Sequence, residues 1–178
     1  MQIDNRDCSN IVMSVEEQNE IINWANNNFT KFRPNGHGRQ YCIFDNINDE
    51  NIEYSKNNLP LIDANYPLSI MSIKKRIVCL ENLHGSIQEP KFKDFISYIT
   101  DQGQIHQHVD HNSNNLIHTR FNVIVQLPNI GGLPIYNDNI ILINEREYVR
   151  CDSGLHKHYC QKVHGDKARI VISYGFLI

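Results

Sequence analysis

From Gln104 onward the chain breaks into short β-type runs divided by turn-forming residues, a texture that narrows its possible folds more than any other. Runs near 104–110, 118–127, 133–136, 139–143, 146–151 and 168–176 carry the β-branched and aromatic residues that suit a pleated, half-buried surface. Asn129-Ile130-Gly131-Gly132 and Asn137-Asp138 lie between them, and Gly, Asn and Asp tolerate the backbone of tight hairpins. Many short strands joined by such turns predict an antiparallel sandwich or barrel.

The residues before this region read differently. Ser14-Val15-Glu16-Glu17 is a capping box, in which the Ser hydroxyl accepts a backbone N–H while Glu17 reaches back. Ile21, Ile22, Trp24, Ala25 and Phe29 follow at helical spacing, so a helix is expected from about 15 to 30, ended by Arg33-Pro34-Asn35-Gly36. Gln40–Phe44 reads as a strand, and the polar stretch from Asp45 to Asn65 as a loop able to border a substrate. Pro67 suits a first helical turn, with an apolar-faced helix running to Leu83. Lys91–Thr100 is expected to form a further short helix. At 178 residues the chain fits one domain with one continuous core. Residues 1–100 would then be helical support and lid, and 101–178 the sheet core.

Charge and cysteine usage remove several functional classes. A formal charge of -3 argues against nucleic acid, which calls for a strong positive field. The sequence near Met1 has no apolar signal-peptide core, and no stretch approaches about 18 uninterrupted apolar residues, so no membrane is expected and the cytoplasm is the expected compartment. Cys8, Cys42, Cys79, Cys151 and Cys160 are odd in number and form no CxxC pair, which points to free, mostly buried thiols. Exposed sheet edges are compatible with a monomer or a homodimer.

Seven of the nine histidines, His106, His108, His111, His118, His156, His158 and His164, fall in the β-rich part. Residues two apart on a strand share a face, so His108 and Asp110 can offer an imidazole nitrogen and a carboxylate oxygen to one metal ion. By the same alternation Arg169, Val171 and Ser173 look one way while Ile170, Ile172 and Tyr174 look the other, and Arg120 shares a face with Asn122. His106 shares parity with His108, whereas His111 faces away.

His108-Val109-Asp110, a distal His158 and, eleven positions later, Arg169 opening the run Arg169–Phe176 together resemble the iron(II)- and 2-oxoglutarate-dependent oxygenases. Arg120-Phe121-Asn122, the Gly131-Gly132 turn and Val163–Arg169 add to the likeness, which covers roughly residues 90–178. It implies a double-stranded β-helix, or jelly roll, mainly β with supporting N-terminal helices. It also implies Fe(II), 2-oxoglutarate and O2 as the cofactor set. Two neutral imidazoles and one carboxylate would occupy one face of the iron and leave the other open.

In that reading His108, Asp110 and His158 are the metal ligands and the catalytic centre. Arg169 grips the far carboxylate of 2-oxoglutarate with a planar, permanently charged fork, and Ser173, Asn122 and Arg120 border the same co-substrate. His156 competes with His158 for the distal position, but its thirteen-residue spacing to Arg169 fits the family less well. The carboxylate at 110 favours hydroxylation over halogenation, because halogenating relatives have a small residue there. The expected substrate is a protein side chain, an amino acid or a small metabolite. Two alternatives stand beside it: a non-catalytic metal-binding jelly-roll module, and an oxidative demethylase of nucleic-acid bases. Base-repairing members carry a second basic residue six positions after the arginine, where this chain has Gly175.

Overall fold

The computed structural model describes residues 11–34, 38–44, 66–90, 93–113 and 115–178. In chain order the elements are helix α1 (Val15–Asn27), strands β1 (Arg33–Pro34) and β2 (Arg39–Phe44), and helix α2 (Leu68–Leu80). Then come strands β3 (Ile87–Gln88), β4 (Asp94–Ile99), β5 (His118–Gln126), β6 (Pro134–Tyr136), β7 (Asn139–Ile140), β8 (Tyr148–Cys151), β9 (His158–Cys160) and β10 (Arg169–Leu177). The larger, antiparallel sheet runs β1-β2-β4-β10-β5-β8, with β3 pairing the far end of β10. A second sheet runs β7-β6-β9. The architecture is a double-stranded β-helix carrying N-terminal helices.

Helix α1 begins where the capping box places it: Glu17 N–H donates to Ser14 Oγ at 3.2 Å, and Ser14 N–H donates to Glu17 Oε2 at 2.9 Å. It stops at Asn27, short of the expected residue 30, because the Asn28 side chain donates to Trp24 O at 2.8 Å and the chain tightens into one 3-10 turn over Phe29–Lys31. Ile21 and Ala25 of α1 and Ile70, Ile73 and Ile77 of α2 recur at helical spacing. They share one buried cluster with Ile96, Val123, Val125, Ile170, Ile172 and Tyr174, which recur every second residue on β4, β5 and β10. Burying each such isoleucine contributes roughly 1.5–3 kcal/mol. The helices thus cover one face of the larger sheet and leave its other face to the site.

Where a helix is expected over 91–100, Asp94–Ile99 is instead β4, hydrogen-bonded to β2 on one side and β10 on the other, while Lys91 and Phe92 lie outside the described residues. A strand paired on both edges and covered on both faces has no polar stripe, and its mixed pattern imitates a helix. Consequently the described residues before 100 contribute four strands to the larger sheet as well as two α-helices. The expected strand at 104–110 is an extended segment with a single bridge, His108 to His158. The run at 139–143 is a strand only at Asn139–Ile140, since Ile141 N–H turns back to Pro134 O at 2.9 Å. Residues 45–65 and 1–10 lie outside the described residues, as do Asn35 and Gly36 of the expected turn. Cys151 and Cys160 are free and buried, while Cys79 is free and exposed. Among the described residues no helix is long and apolar enough to cross a membrane.

Candidate metal centre

The open face of the larger sheet and the smaller sheet enclose a cavity of about 270 Å³, lined from β10 by Arg169, Val171 and Ser173 and from β5 by Arg120 and Asn122. Phe95 and Ser97 of β4, Pro134 and Tyr136 of β6, and Tyr159 of β9 complete much of its wall. The alternation read from β10 holds, because residues 170, 172 and 174 lie in the core on the opposite face.

His108, Asp110 and His158 meet at this cavity, each with one potential ligand atom within 4.8 Å of the others. His108 Nε2 is 3.8 Å from Asp110 Oδ1, and His158 Nε2 is 3.8 Å from Asp110 Oδ2. Backbone contacts orient both rings. His108 Nδ1 lies 2.7 Å from His106 O and His158 Nδ1 lies 3.1 Å from His156 O, contacts that require a proton on Nδ1. Each Nε2 therefore keeps its lone pair for a metal.

The electrostatics favour the same state. Burial, and then the neighbouring His108, lower the pKa of His158 and keep it neutral. Burial works against the Asp110 carboxylate, yet its neighbours Ser153, His118, His158 and Arg120 together hold it below its ordinary value. Neutral imidazoles and an ionised carboxylate are the forms that bind a divalent cation.

Arg169 is only 4% exposed, and its Nε donates to Gly132 O at 2.6 Å. No carboxylate among the described residues pairs with its guanidinium. Ser173 is buried on the same strand face, and its hydroxyl has no hydrogen-bond partner among the described residues. Asn122 donates to Tyr136 Oη at 3.2 Å, and burial pushes the Tyr136 hydroxyl pKa far up, so it stays a proton donor. A buried cation beside the unspent Ser173 hydroxyl is unfavourable unless an anion arrives, which makes this end of the cavity fit a small carboxylate. Two imidazoles and a carboxylate fit a divalent first-row metal with open positions.

Gly131 and Gly132 hold the turn that supplies the Gly132 carbonyl, with φ of 76° and 73°. A Cβ at 132 would lie 2.6 Å from Pro128 Cγ and 3.2 Å from Arg169 Cδ. Arg120 lines the cavity too, but its charge is engaged: it meets Glu89 Oε2 at 3.0 Å and Lys93 O at 2.7 Å, and lies 5.1 Å above the Phe95 ring. Its guanidinium also explains Gly175, where a Cβ would approach Arg120 Nη1 to 2.5 Å.

The sequence-predicted residues thus all line one cavity. His156 stands outside the cluster, with Nδ1 2.9 Å from Asn137 Nδ2, and His111 is exposed as expected. Sequence reasoning passed over His118, whose Nδ1 lies 3.5 Å from Asp110 Oδ2, and Tyr136 and Glu89. No spacing rule singles these out. Only the parity of Pro134 and Tyr136 after the Gly-Gly turn could have flagged Tyr136.

No protein-family model and no curated protein matches the sequence. Solved structures do match the fold. The viral collagen prolyl hydroxylase of Paramecium Bursaria Chlorella virus-1, in complex with 2-oxoglutarate, aligns at 12% identity over 95% of this chain and 93% of its own, with a TM-score of 0.60. A Pseudomonas putida prolyl-4-hydroxylase aligns at 11% identity over 94% and 89%, with a TM-score of 0.59. A Trichoplax adhaerens prolyl hydroxylase, solved with a hypoxia inducible factor peptide fragment, aligns at 10% identity over 94% and 81%, with a TM-score of 0.60. The chain therefore has the fold of these prolyl hydroxylases, and its cavity holds a cluster of two histidines and one carboxylate.

Proposed function

We propose that the protein is an Fe(II)- and 2-oxoglutarate-dependent oxygenase that hydroxylates a C–H bond of its substrate. The observation that carries this reading is the buried guanidinium of Arg169, without a carboxylate partner among the described residues, in the same cavity as His108, Asp110 and His158. A structural metal would need no such cation. A dicarboxylate co-substrate would, and the orphaned Ser173 hydroxyl supplies a second donor to the same group.

His108, Asp110 and His158 would hold the iron through two Nε2 atoms and one carboxylate oxygen. When bound, the iron supplies activation of O2, coupled to conversion of 2-oxoglutarate into succinate and carbon dioxide as one oxygen atom enters the substrate C–H bond. Arg169 fixes the far carboxylate of the co-substrate, with Ser173 donating beside it, while the Asn122–Tyr136 pair walls that end. Val171 and Pro134 exclude water from the space between. Arg39, Phe95, Ile105 and Tyr159 remain for the primary substrate.

The names of the similar structures, prolyl hydroxylases acting on collagen or bound to a peptide, make peptides the first substrate class to test, ahead of free amino acids and small metabolites. We place the reaction in the cytoplasm. Anaerobic addition of iron(II) and 2-oxoglutarate should give the weak visible charge-transfer band of the chelate, and succinate release should rise with one member of a panel of peptides, amino acids and nucleotides. Absence of both band and succinate would return the chain to a metal-binding module.

A further inference from the structure

His118 is a buried side chain that the proposed reaction leaves without a task. It opens β5 with a side chain 6% exposed, its Nδ1 3.5 Å from Asp110 Oδ2 and its Nε2 buried without a hydrogen-bond partner among the described residues. Its backbone is fixed on both sides: the N–H donates to Asn112 Oδ1 at 2.9 Å, and the carbonyl accepts from Gly154 N–H at 2.8 Å and Ser153 Oγ at 3.1 Å. Asp110 is tied to the same stretch, since its N–H donates to Ser153 O at 2.9 Å. The two backbones are therefore held beside each other, and at 6% exposure the imidazole has little room to turn away from the carboxylate.

Facing a carboxylate oxygen, Nδ1 must carry the proton, because a lone pair there would oppose the lone pairs of Oδ2. His108 Nε2 and His158 Nε2 lie equally far, 3.8 Å, from Oδ1 and Oδ2 respectively, so what distinguishes the two oxygens is His118: with Oδ2 facing that donor, Oδ1 is the oxygen left for a cation. His118 lies outside the set of atoms that converge on the candidate ion, so it acts on the carboxylate and not as a fourth ligand.

We infer that His118 is a positioning residue that holds Asp110 Oδ2 through Nδ1–H, so that the carboxylate binds metal through Oδ1 alone and leaves the remaining positions open. This rests on the metal-centre reading above. Partners of this kind typically govern metal affinity by about 10–100-fold.

The test is cobalt(II) titration of the purified chain without co-substrate or turnover, followed by the cobalt visible spectrum and by binding affinity, for wild type, Asp110→Ala and three substitutions at 118. His118→Phe removes the donor at similar volume. His118→Asn keeps an N–H near the Nδ1 position, and His118→Gln moves it out toward Nε2. We expect His118→Phe and His118→Gln to bind cobalt(II) about 10–100-fold more weakly with an altered spectrum, and His118→Asn to restore affinity to within a few-fold. Should His118→Phe fail to fold, the Asn/Gln contrast alone decides. Wild-type affinity and spectrum in His118→Phe or His118→Gln, with Asp110→Ala impaired, would overturn the role of His118 and leave the metal centre standing. No cobalt(II) binding by wild type would instead bring down the metal centre itself, and the positioning role with it.

Discussion

The backbones of His108 and His158 clasp each other in both directions, His158 N–H donating to His108 O at 2.9 Å and His108 N–H donating to His158 O at 3.2 Å. Two side chains fifty residues apart in sequence are thereby brought to a ring separation of 4.1 Å by main-chain atoms, independently of what the side chains are.

Alanine at His108 or Asp110 should therefore abolish succinate formation and metal binding while leaving the fold intact. His108 is an exposed residue and Asp110 only half-buried, so the expected change in unfolding free energy is within about 1 kcal/mol. Denaturant melts paired with a succinate assay check this, and full succinate output from either variant would refute the ligand assignment.

Replacing Arg169 should separate stability from co-substrate binding. Its buried charge lacks a carboxylate partner among the described residues, so Arg169→Met should melt no lower than wild type in the absence of ligand. Added 2-oxoglutarate with metal should raise the wild-type melting temperature and leave that of Arg169→Met unmoved, because only a ligand that binds the folded state shifts it. Equal ligand-induced shifts in both proteins would mean the carboxylate is anchored elsewhere.

Gly132→Ala should act at a distance on the same anchor. The residue has φ 73°, and the new methyl would press on Pro128 and on the Arg169 side chain. We expect destabilisation of about 1–3 kcal/mol and a raised KM for 2-oxoglutarate. Thermal melts and co-substrate titration read the two effects, and an unchanged KM would show that the Gly132 carbonyl does not aim the guanidinium.

A pH-dependent contribution should come from the pair joining the two helices. Arg76 Nη1 is 2.8 Å from Glu17 Oε2, and its second nitrogen meets Oε1. Chiefly through that hydrogen-bonded pairing, the Glu17 carboxyl sits below its usual value of 4.5. A depressed carboxylate stabilises the fold above its unfolded pKa and ceases to do so as pH falls through the folded one. Glu17→Gln keeps the capping geometry but loses the charge, so it should cost on the order of 0.5–1 kcal/mol at pH 7, with the difference fading below about pH 4. Urea unfolding at the two pH values measures it, and a constant difference would assign the effect to the cap alone.

What could be read from the sequence was whatever depends on local period. The parity of His108 with Asp110, the alternation through Arg169–Ser173 and the capping box at Ser14 all follow from residues a few positions apart. β4 escaped because Asp94-Phe95-Ile96-Ser97-Tyr98-Ile99 is largely buried on both faces and so lacks a solvent-facing stripe. His118 escaped because its approach to Asp110 depends on an Asn112 side chain catching a backbone N–H six residues on, and the engagement of Arg120 escaped because its partner Glu89 lies thirty-one positions away.

β10 carries the cavity on residues 169, 171 and 173 and the helix-covered core on residues 170, 172 and 174. Neighbouring codons on this strand thus answer to opposite demands, and a one-residue insertion ahead of it would swap them, turning isoleucines toward the ligands and a guanidinium into hydrocarbon. Variation that retunes this wall can proceed by substitution at alternate positions. It cannot proceed by a single-codon change in length.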